Sequence, residues 1–387
     1  MRDTAPSGRQ HEFSRREFIR QCAAGAAVAG ISGCARGMDA STPQFPSDPQ
    51  TQNGLVSAAA VDAVMDGLAM ALARLDSASL AWQALFNIPG DPGALRVAIK
   101  VNEVGPNKPR VAIVAKVCRV LIDCGVQPEN ICVYAGNDAL GESDPYGGVL
   151  RNTVPAGVVV GERTALLGGF VFTNIPPASK DATTVTSVRC QQAIAERQID
   201  LLVNIAVNKG HWDEFGGCTL TMKNHFGTFD PQPYGGGSFA QTHANFDYLL
   251  AINQSEALIG GETPLQRLCI VDSIWAGREP NPGAPGDAIP SNRIVMGTFS
   301  PVVDFLTMKS IRYEIMGCPF GNLFEEGLWQ LGFPQTTTAA LVCIDVDADE
   351  PQKAVTSEDV TSDTSHLIHP AVSDLRVAQC HDERMVL

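Results

Sequence analysis

The fold is decided by the segment Leu95-Arg96-Val97-Ala98-Ile99-Lys100-Val101 together with the next apolar run, Ile131-Cys132-Val133-Tyr134-Ala135. Both runs are short and rich in β-branched residues, which favours strands. Between them, from Pro109 to a stop at Gly125, apolar residues recur at helical spacing: Ile113, Val114, Val117, Leu121 and Cys124. A strand, a helix and a second strand in this order predict parallel pairing through a right-handed crossover.

The same alternation continues along the chain. Ile199–Val207 is almost entirely apolar, which is typical of a strand buried on both faces. Further strands are predicted at Leu268–Val271, Ile294–Met296 and Leu341–Ile344, and helices at Val61–Leu75, Val185–Ile194 and Ser300–Gly317. We therefore predict an α/β domain over residues 56–345, with a mostly parallel central sheet, helices on both faces and a large polar loop insertion at about residues 208–266. Whether that insertion forms a subdomain stays open.

The N-terminal residues have the pattern of an export signal. Arg15 and Arg16 precede a weakly apolar stretch, as in signals for the twin-arginine (Tat) translocon. The stretch ends in Ile31-Ser32-Gly33-Cys34, which is typical of a lipobox whose cysteine is acylated. We predict a signal over residues 1–33, a flexible spacer over 34–55, and a lipoprotein anchored in the membrane at Cys34, on the periplasmic or cell-surface side.

Composition excludes several classes of protein. The net charge of −14 argues against a nucleic-acid partner, because such binding depends on basic patches. No apolar run approaches the roughly 20 residues of a membrane span. Residues 346–387 are acidic and rich in Ser and Thr, which predicts a loosely ordered tail.

Motifs of several familiar cofactors and reactions are missing. The 11 cysteines include no C-x-x-C pair, so the chain has no iron–sulfur cluster motif. The sequence also lacks a phosphate-binding P-loop, a G-x-S-x-G elbow, and a G-x-G-x-x-G after the first strand. A hydrolase with a Ser or Cys nucleophile is therefore the weakest of three interpretations.

Polar residues recur where the predicted strands end. The set is Lys100 and Asn102, Asn137 and Asp138, Asn208, Lys209 and His211, and Asp272. In open α/β sheets, ligands bind beyond the carboxyl ends of the strands, so this set predicts a site at the strand-end rim. A second polar stretch, Thr219–Gly227, adds Lys223, Asn224 and His225, and His243 lies beyond it.

Three uses of these residues are open. His211, His225 and His243, with Asp272, could bind a divalent metal. Alternatively the lysines could hold a carboxylate or phosphate while a histidine moves protons. The third use is structural, with Lys and His locking loops against Asp272 and Asp304. We take as ligand-binding residues Lys100, Asn102, Lys209, Asn224 and Asp272, and as catalytic residues His211 and Lys223.

Five short motifs in order resemble the bacterial and archaeal family called domain of unknown function 362, in its exported subgroup with Tat signals. They are Ile99–Asn102, Lys209–His211, Met222–Gly227, Val271–Ile274 and Ser300–Asp304, within residues 60–320. The resemblance supports the domain boundaries and the set of site residues, but the family's activity is not established. Many relatives carry ferredoxin-like cysteine clusters, which implies a redox setting; here any such cluster would belong to a separate partner.

The sequence thus predicts an exported, lipid-anchored α/β protein that binds a small anionic ligand or a divalent metal at the strand-end rim. Whether it is an enzyme stays open. The alternative is a non-catalytic accessory or maturation factor for a periplasmic redox complex, which would bind a protein partner instead of a small molecule.

Overall fold

A computed structural model describes most of the predicted domain. It covers residues 58–88, 90–104, 107–136, 140–141, 143–161, 167–178, 185–211, 217–230, 246–253, 255–259, 263–278, 288–313, 315–318 and 339–343. The chain divides into two units, residues 1–43 and 44–387, and every described residue belongs to the second. The signal, Cys34, the spacer, His243 and the tail lie outside the described residues.

A seven-stranded sheet forms the centre of the described domain, in the order β3-β2-β1-β6-β9-β10-β11. Its strands are β1 (Val97–Val101), β2 (Ile131–Tyr134), β3 (Val159–Val160), β6 (Leu201–Val207), β9 (Gln266–Gly277), β10 (Ala288–Gly297) and β11 (Ala339–Cys343). The first five are parallel, whereas β10 and β11 pair antiparallel at one edge. This confirms the prediction of a mostly parallel α/β sheet.

Helices cover both faces of the sheet, as predicted. In β1, Val97, Ile99 and Val101 belong to a core with α1 (Ala58–Ala73), α2 (Ala78–Phe86) and α3 (Val111–Asp123). Ala98 lies on the opposite face, in a core with α5 (Gln192–Ala195), α6 (Phe246–Asn253) and α7 (Ser300–Thr307). The helix α4 (Pro145–Thr153) also packs in the first core. Because both faces of the central strands are buried, their sequences are nearly continuous runs of apolar residues.

The order of the strands creates a switch point. From β1 the chain runs outward to β2 and β3, then returns to place β6 on the other side of β1 and continues to β9. The connection after β1 therefore runs toward one edge of the sheet, and the connection after β6 runs toward the other edge. Such a point opens a crevice at the carboxyl ends of the two strands, and it is the usual ligand position in doubly wound sheets.

The predicted helix at Val185–Ile194 is wrong in its first part. Val185–Gln191 forms strand β5, which pairs antiparallel with β4 (Phe170–Ala178) as a separate two-stranded sheet. Only the short α5 follows it. The apolar residues Val185 and Val188 fit a helical spacing, but Val188 faces the second core through pairing with Thr173, a contact that local sequence cannot show.

Two further boundaries differ from the prediction. The strand that contains Asp272 continues to Gly277, so this aspartate lies within β9 and does not end it. The helix beginning at Ser300 changes to π-helical geometry over Met308–Tyr313. Among the described residues, no helix combines the length and apolar character needed to cross a bilayer.

Candidate functional site

The carboxyl ends of β1 and β6 bring two lysines to the switch point. Lys100 is the fourth residue of β1, and Lys209 follows the end of β6 by two residues, in the short strand β7 (Lys209–Gly210). Lys209 pairs with Thr219 of β8 (Cys218–Thr219), which turns the chain back over the sheet. Both side chains are buried, with 2% of Lys100 and 1% of Lys209 exposed.

Lys100 lies on the second face of the sheet, since side chains alternate along β1. Its Nζ donates to the carbonyl of Val101 at 2.9 Å and to Asn224 Oδ1 at 3.3 Å. The same ammonium group lies 5.8 Å from the centre of the Tyr134 ring. These partners fix the amine, and no carboxylate is among its hydrogen-bond partners in the described residues.

Lys209 is held by the loop that follows β1. Its Nζ donates to Asn102 Oδ1 at 2.7 Å and to the carbonyl oxygen of Val104. Glu103 of the same loop lies near enough to favour the ammonium form, but its carboxylate is paired with Lys108 at 3.3 Å. The contact between Lys209 and Asn102 joins two residues that the sequence placed in one site.

Lys223 reaches the same region from a 3-10 turn, Lys223–His225, that covers the second face of the sheet. The turn is anchored by Asp304 of α7, whose carboxylate accepts hydrogen bonds from the amides of Thr221 and Met222, both at 2.8 Å, and from the Thr221 hydroxyl. Burial raises the pKa of Asp304 from 3.8 to about 7, and the hydrogen bonds from Thr221 and Met222 oppose that rise.

All three lysines are far less basic than lysines in water. Burial lowers the pKa of Lys100, Lys209 and Lys223 from 10.5 to about 7 in each case. For Lys209, the neighbouring charges of Lys100, Lys108 and Lys223 lower the pKa further, against Glu103. Charging Lys100 or Lys223 therefore makes charging Lys209 less favourable.

Asn224 and His225 belong to a buried polar network beside Lys100. Asn224 Nδ2 donates to Asn204 Oδ1 at 2.8 Å, and Asn204 lies opposite Lys100 in the parallel register of β1 and β6. Asn204 Nδ2 in turn donates to Gln266 Oε1 at 3.0 Å. Because amide side chains need partners when buried, this network fixes the orientation of Asn224 and of the Lys100 amine that it accepts from.

His225 is placed as a structural residue of that network. Its Nε2 lies 2.7 Å from Gln266 Oε1, and its Nδ1 lies 3.4 Å from Thr228 Oγ1. Burial lowers the pKa of the ring from 6.5 to about 3, so the imidazole is neutral. Both nitrogens have partners within the fold, which leaves no lone pair directed at a metal in this arrangement.

The carboxylate of Asp272 bonds to Arg110 and to backbone amides. Its carboxylate accepts from the backbone amide of Arg110 at 2.8 Å and pairs with the Arg110 guanidinium at 3.0 Å. The amide of Ile274 donates to the same carboxylate at 3.1 Å. Asp272 thus ties β9 to Arg110, the residue at the N-cap of α3.

The other predicted site residues are placed as follows. His211 is buried beyond β7, and its backbone amide donates to Gly217. Asn137, Asp138 and His243 lie outside the described residues. Within the part of the chain that the structure describes, no three His, Cys, Asp or Glu side chains gather as a metal site would require.

Two residues that hold the site residues in place were not predicted from the sequence. Asn204 is the one polar residue in the apolar run Leu201–Val207, and that isolation was an available signal. Arg110 gave only a weak signal, since an arginine after a proline is common in loops. Its partner lies 162 residues further along the chain.

Two glycines come into close contact where the turn that carries Lys223 meets the sheet. Gly227 has a φ of +101°, and a Cβ at this position would lie 2.0 Å from the Cα of Gly136, just after β2. Only glycine permits both the conformation and the contact. The segment that carries Lys223 and Asn224 is thereby held down at both ends, by Asp304 and by this contact.

Comparison of the chain with family models, with curated proteins and with solved structures gives no match.

Proposed function

We propose that this is an exported, lipid-anchored α/β protein that binds a small anionic ligand, a carboxylate or a phosphate, at the switch point between β1 and β6. The observation that carries the proposal is the gathering of Lys100, Lys209 and Lys223 at that point, where doubly wound sheets place their ligands. Export through Tat and acylation of Cys34 form the predicted N-terminal part of the proposal.

The charges around the site favour an anion. The hydrogen bonds of Lys100 and Lys209 end on uncharged oxygens, and Glu103 already pairs with Lys108. In the part of the chain that the structure describes, neither amine donates to a carboxylate. A buried cation without a counter-ion is costly, and a bound anion would remove that cost by stabilising the protonated amines. The resemblance to the domain of unknown function 362 family stays a prediction and adds nothing to this step.

The roles of the site residues follow from their positions. Lys100 and Lys209 would hold the ligand, with Asn102 and Asn224 orienting the two amines. Lys223 would supply or accept a proton, because an amine with a pKa of about 7 exchanges protons readily near neutral pH. His211 keeps the predicted proton-transfer role, and Asp272 acts here as a positioning residue.

The test is a thermal-shift screen of the purified full-length chain with phosphate, monocarboxylates and dicarboxylates. We expect at least one anion to raise the melting temperature, and Lys209→Met and Lys223→Met to abolish that rise. Lys116→Met is the matched control, since Lys116 is a buried lysine paired with Asp66 on the other face of the sheet. If His211→Ala and Lys223→Ala both leave binding unchanged in folded protein, the assignment is wrong.

One observation favours the accessory interpretation as a second candidate. Phe172 in β4 is 66% exposed on the separate β4–β5 sheet, and Arg189 lies 6.0 Å from its ring. An exposed aromatic residue beside an arginine is typical of an interface centre. This hypothesis predicts one reproducible partner in cross-linked membranes that is lost with Phe172→Ser; no reproducible partner would contradict it.

A further inference from the structure

The hydrogen bonds of Lys209 match a neutral amine. An ammonium group has three N–H donors, whereas a neutral amine has two and a lone pair. Among the described residues, Lys209 Nζ has two acceptors, Asn102 Oδ1 at 2.7 Å and the carbonyl oxygen of Val104. These two bonds use both donors of the neutral form, and within this part of the chain its lone pair is left for another atom.

The surroundings of Lys209 also disfavour the charged form. Burial has the largest effect on its pKa, and three cationic side chains, Lys100, Lys108 and Lys223, lower the pKa further. Glu103 has the largest effect among the neighbouring charges and raises the pKa, but its carboxylate is also paired with Lys108. A lysine that is buried and next to other cations is the kind that acts as a nucleophile toward carbonyl groups.

Lys209 is better placed for this chemistry than Lys100. Lys100 lies within β1, beneath the face of the Tyr134 ring and under Asn224 of the covering turn. Lys209 follows the end of β6, at the edge of the sheet where the switch point lies. It also has the larger number of cationic neighbours, so its neutral form is favoured from more directions.

We propose that Lys209 forms a Schiff base with the carbonyl group of a small ligand that also carries a carboxylate, such as a 2-oxo acid. The proposal rests on the proposed function and names the substrate class of the same site. Lys100 holds the carboxylate, Lys209 takes the carbonyl carbon, and Lys223 keeps its role of exchanging protons.

The step balances without an oxidant or reductant. The Lys209 nitrogen forms a bond to the carbonyl carbon while the C=O π bond breaks, and a proton from that nitrogen passes to the oxygen to give a carbinolamine. The carbinolamine then loses its hydroxyl group and a proton as water, which leaves the imine. In this scheme Lys223 carries these protons, because its amine lies near enough to act on the charge of Lys209.

The experiment is reductive trapping on the full-length chain. The protein is incubated with pyruvate and cyanoborohydride, digested, and mapped by mass spectrometry. We expect one carboxyethyl group per chain, on Lys209. No adduct, or an adduct on Lys100 or Lys223 in place of Lys209, would overturn the proposal. This mapping uses the unaltered protein, so it does not depend on any variant folding.

Two controls separate this inference from the proposed function. Lys209→Arg cannot form an imine, so trapping should disappear in this variant, whereas Lys116→Arg should change neither trapping nor the anion-induced melting shift. Lactate carries the carboxylate without the carbonyl group. If lactate and pyruvate both raise the melting temperature and nothing is trapped, the Schiff base is refuted and anion binding stands. If trapping occurs on Lys209 but lactate gives no shift, anion binding by the cluster is refuted instead.

Discussion

The charge of Lys209 depends on burial more than on any single contact. In the folded protein its pKa is lowered from 10.5 to about 7, so between pH 7 and 10.5 the unfolded chain binds more protons than the folded one. The free energy of unfolding therefore rises with pH through that window, and below pH 7 the full cost of charging the buried amine remains. The same sign applies to Lys100 and Lys223.

We predict that Lys209→Met flattens the pH dependence of stability. Removing one such lysine should reduce the slope between pH 7 and 8 by up to about 1.4 kcal/mol per pH unit, the value for one proton. Urea unfolding at several pH values measures the slope. The window stops below pH 9, where thiols of the unfolded chain begin to ionise. Lys116→Met should leave the slope as it is, and an unchanged slope in Lys209→Met would contradict the prediction.

Asp304 anchors the turn before Lys223, because its carboxylate accepts hydrogen bonds from two backbone amides and a hydroxyl of that turn. We predict that Asp304→Asn destabilises the protein by about 1–3 kcal/mol, since the new amide group cannot accept the hydrogen bonds that one carboxylate oxygen accepted. Denaturant unfolding gives the free energy. Thr307→Ala, which removes a hydroxyl bonded within the same helix at 2.8 Å, is the control and should cost less. Stability equal to wild type in Asp304→Asn would refute the anchoring role.

Between elements, the pair of Arg110 and Asp272 joins the start of α3 to the interior of β9. We predict that Arg110→Met destabilises the protein by about 3–5 kcal/mol, because it leaves a buried carboxylate without its cation. The double variant Arg110→Met/Asp272→Asn should recover part of that loss, as measured by urea unfolding of the single and double variants.

The same variants test whether Asp272 also touches the ligand. As a positioning residue, Asp272→Asn should change stability and leave the anion-induced melting shift nearly intact. A lost shift in a variant that remains folded would return Asp272 to the ligand-binding set.

The central strands were predictable because their apolar runs report burial on both faces, as in Leu201–Val207. Strand β5 was not, because three-residue spacing of apolar side chains also fits a helix, and its pairing with β4 is a longer-range event. In the site, Lys100, Asn102, Lys209 and Asn224 could be found, since polar residues at strand ends share one edge. The partner of Asp272 could not, because it depends on where the fold places the start of α3, 162 residues earlier in the chain.

At the scale of the whole molecule, the predicted export signal precedes in sequence the domain that contains the switch point. We predict that Arg15→Lys/Arg16→Lys blocks export and leaves the chain in the cytoplasm, because the Tat translocon reads the twin arginines. Cell fractionation measures this. Cys34→Ala should still be exported but should leave the membrane fraction, since the acyl anchor is lost. Normal export of the double-lysine variant would contradict the signal assignment.

Strand order is what brings the lysines together. The return of the chain from β3 to β6 places the ends of β1 and β6 side by side, and the turn anchored by Asp304 adds Lys223 from above the sheet. Three elements distant in sequence thus build one cationic site in the interior of an otherwise acidic protein.

The most direct measurement is a calorimetric titration of the full-length chain with the anion that gives the largest melting shift, at pH 7 in two buffers of different ionisation enthalpy. We predict one site per chain, heats that differ between the buffers because the lysines take up protons, and at least tenfold weaker binding, about 1.4 kcal/mol, in Lys209→Met but not in Lys116→Met. Equal affinity in wild type and Lys209→Met, with no proton uptake, would show that the ligand does not bind at the lysines of the switch point.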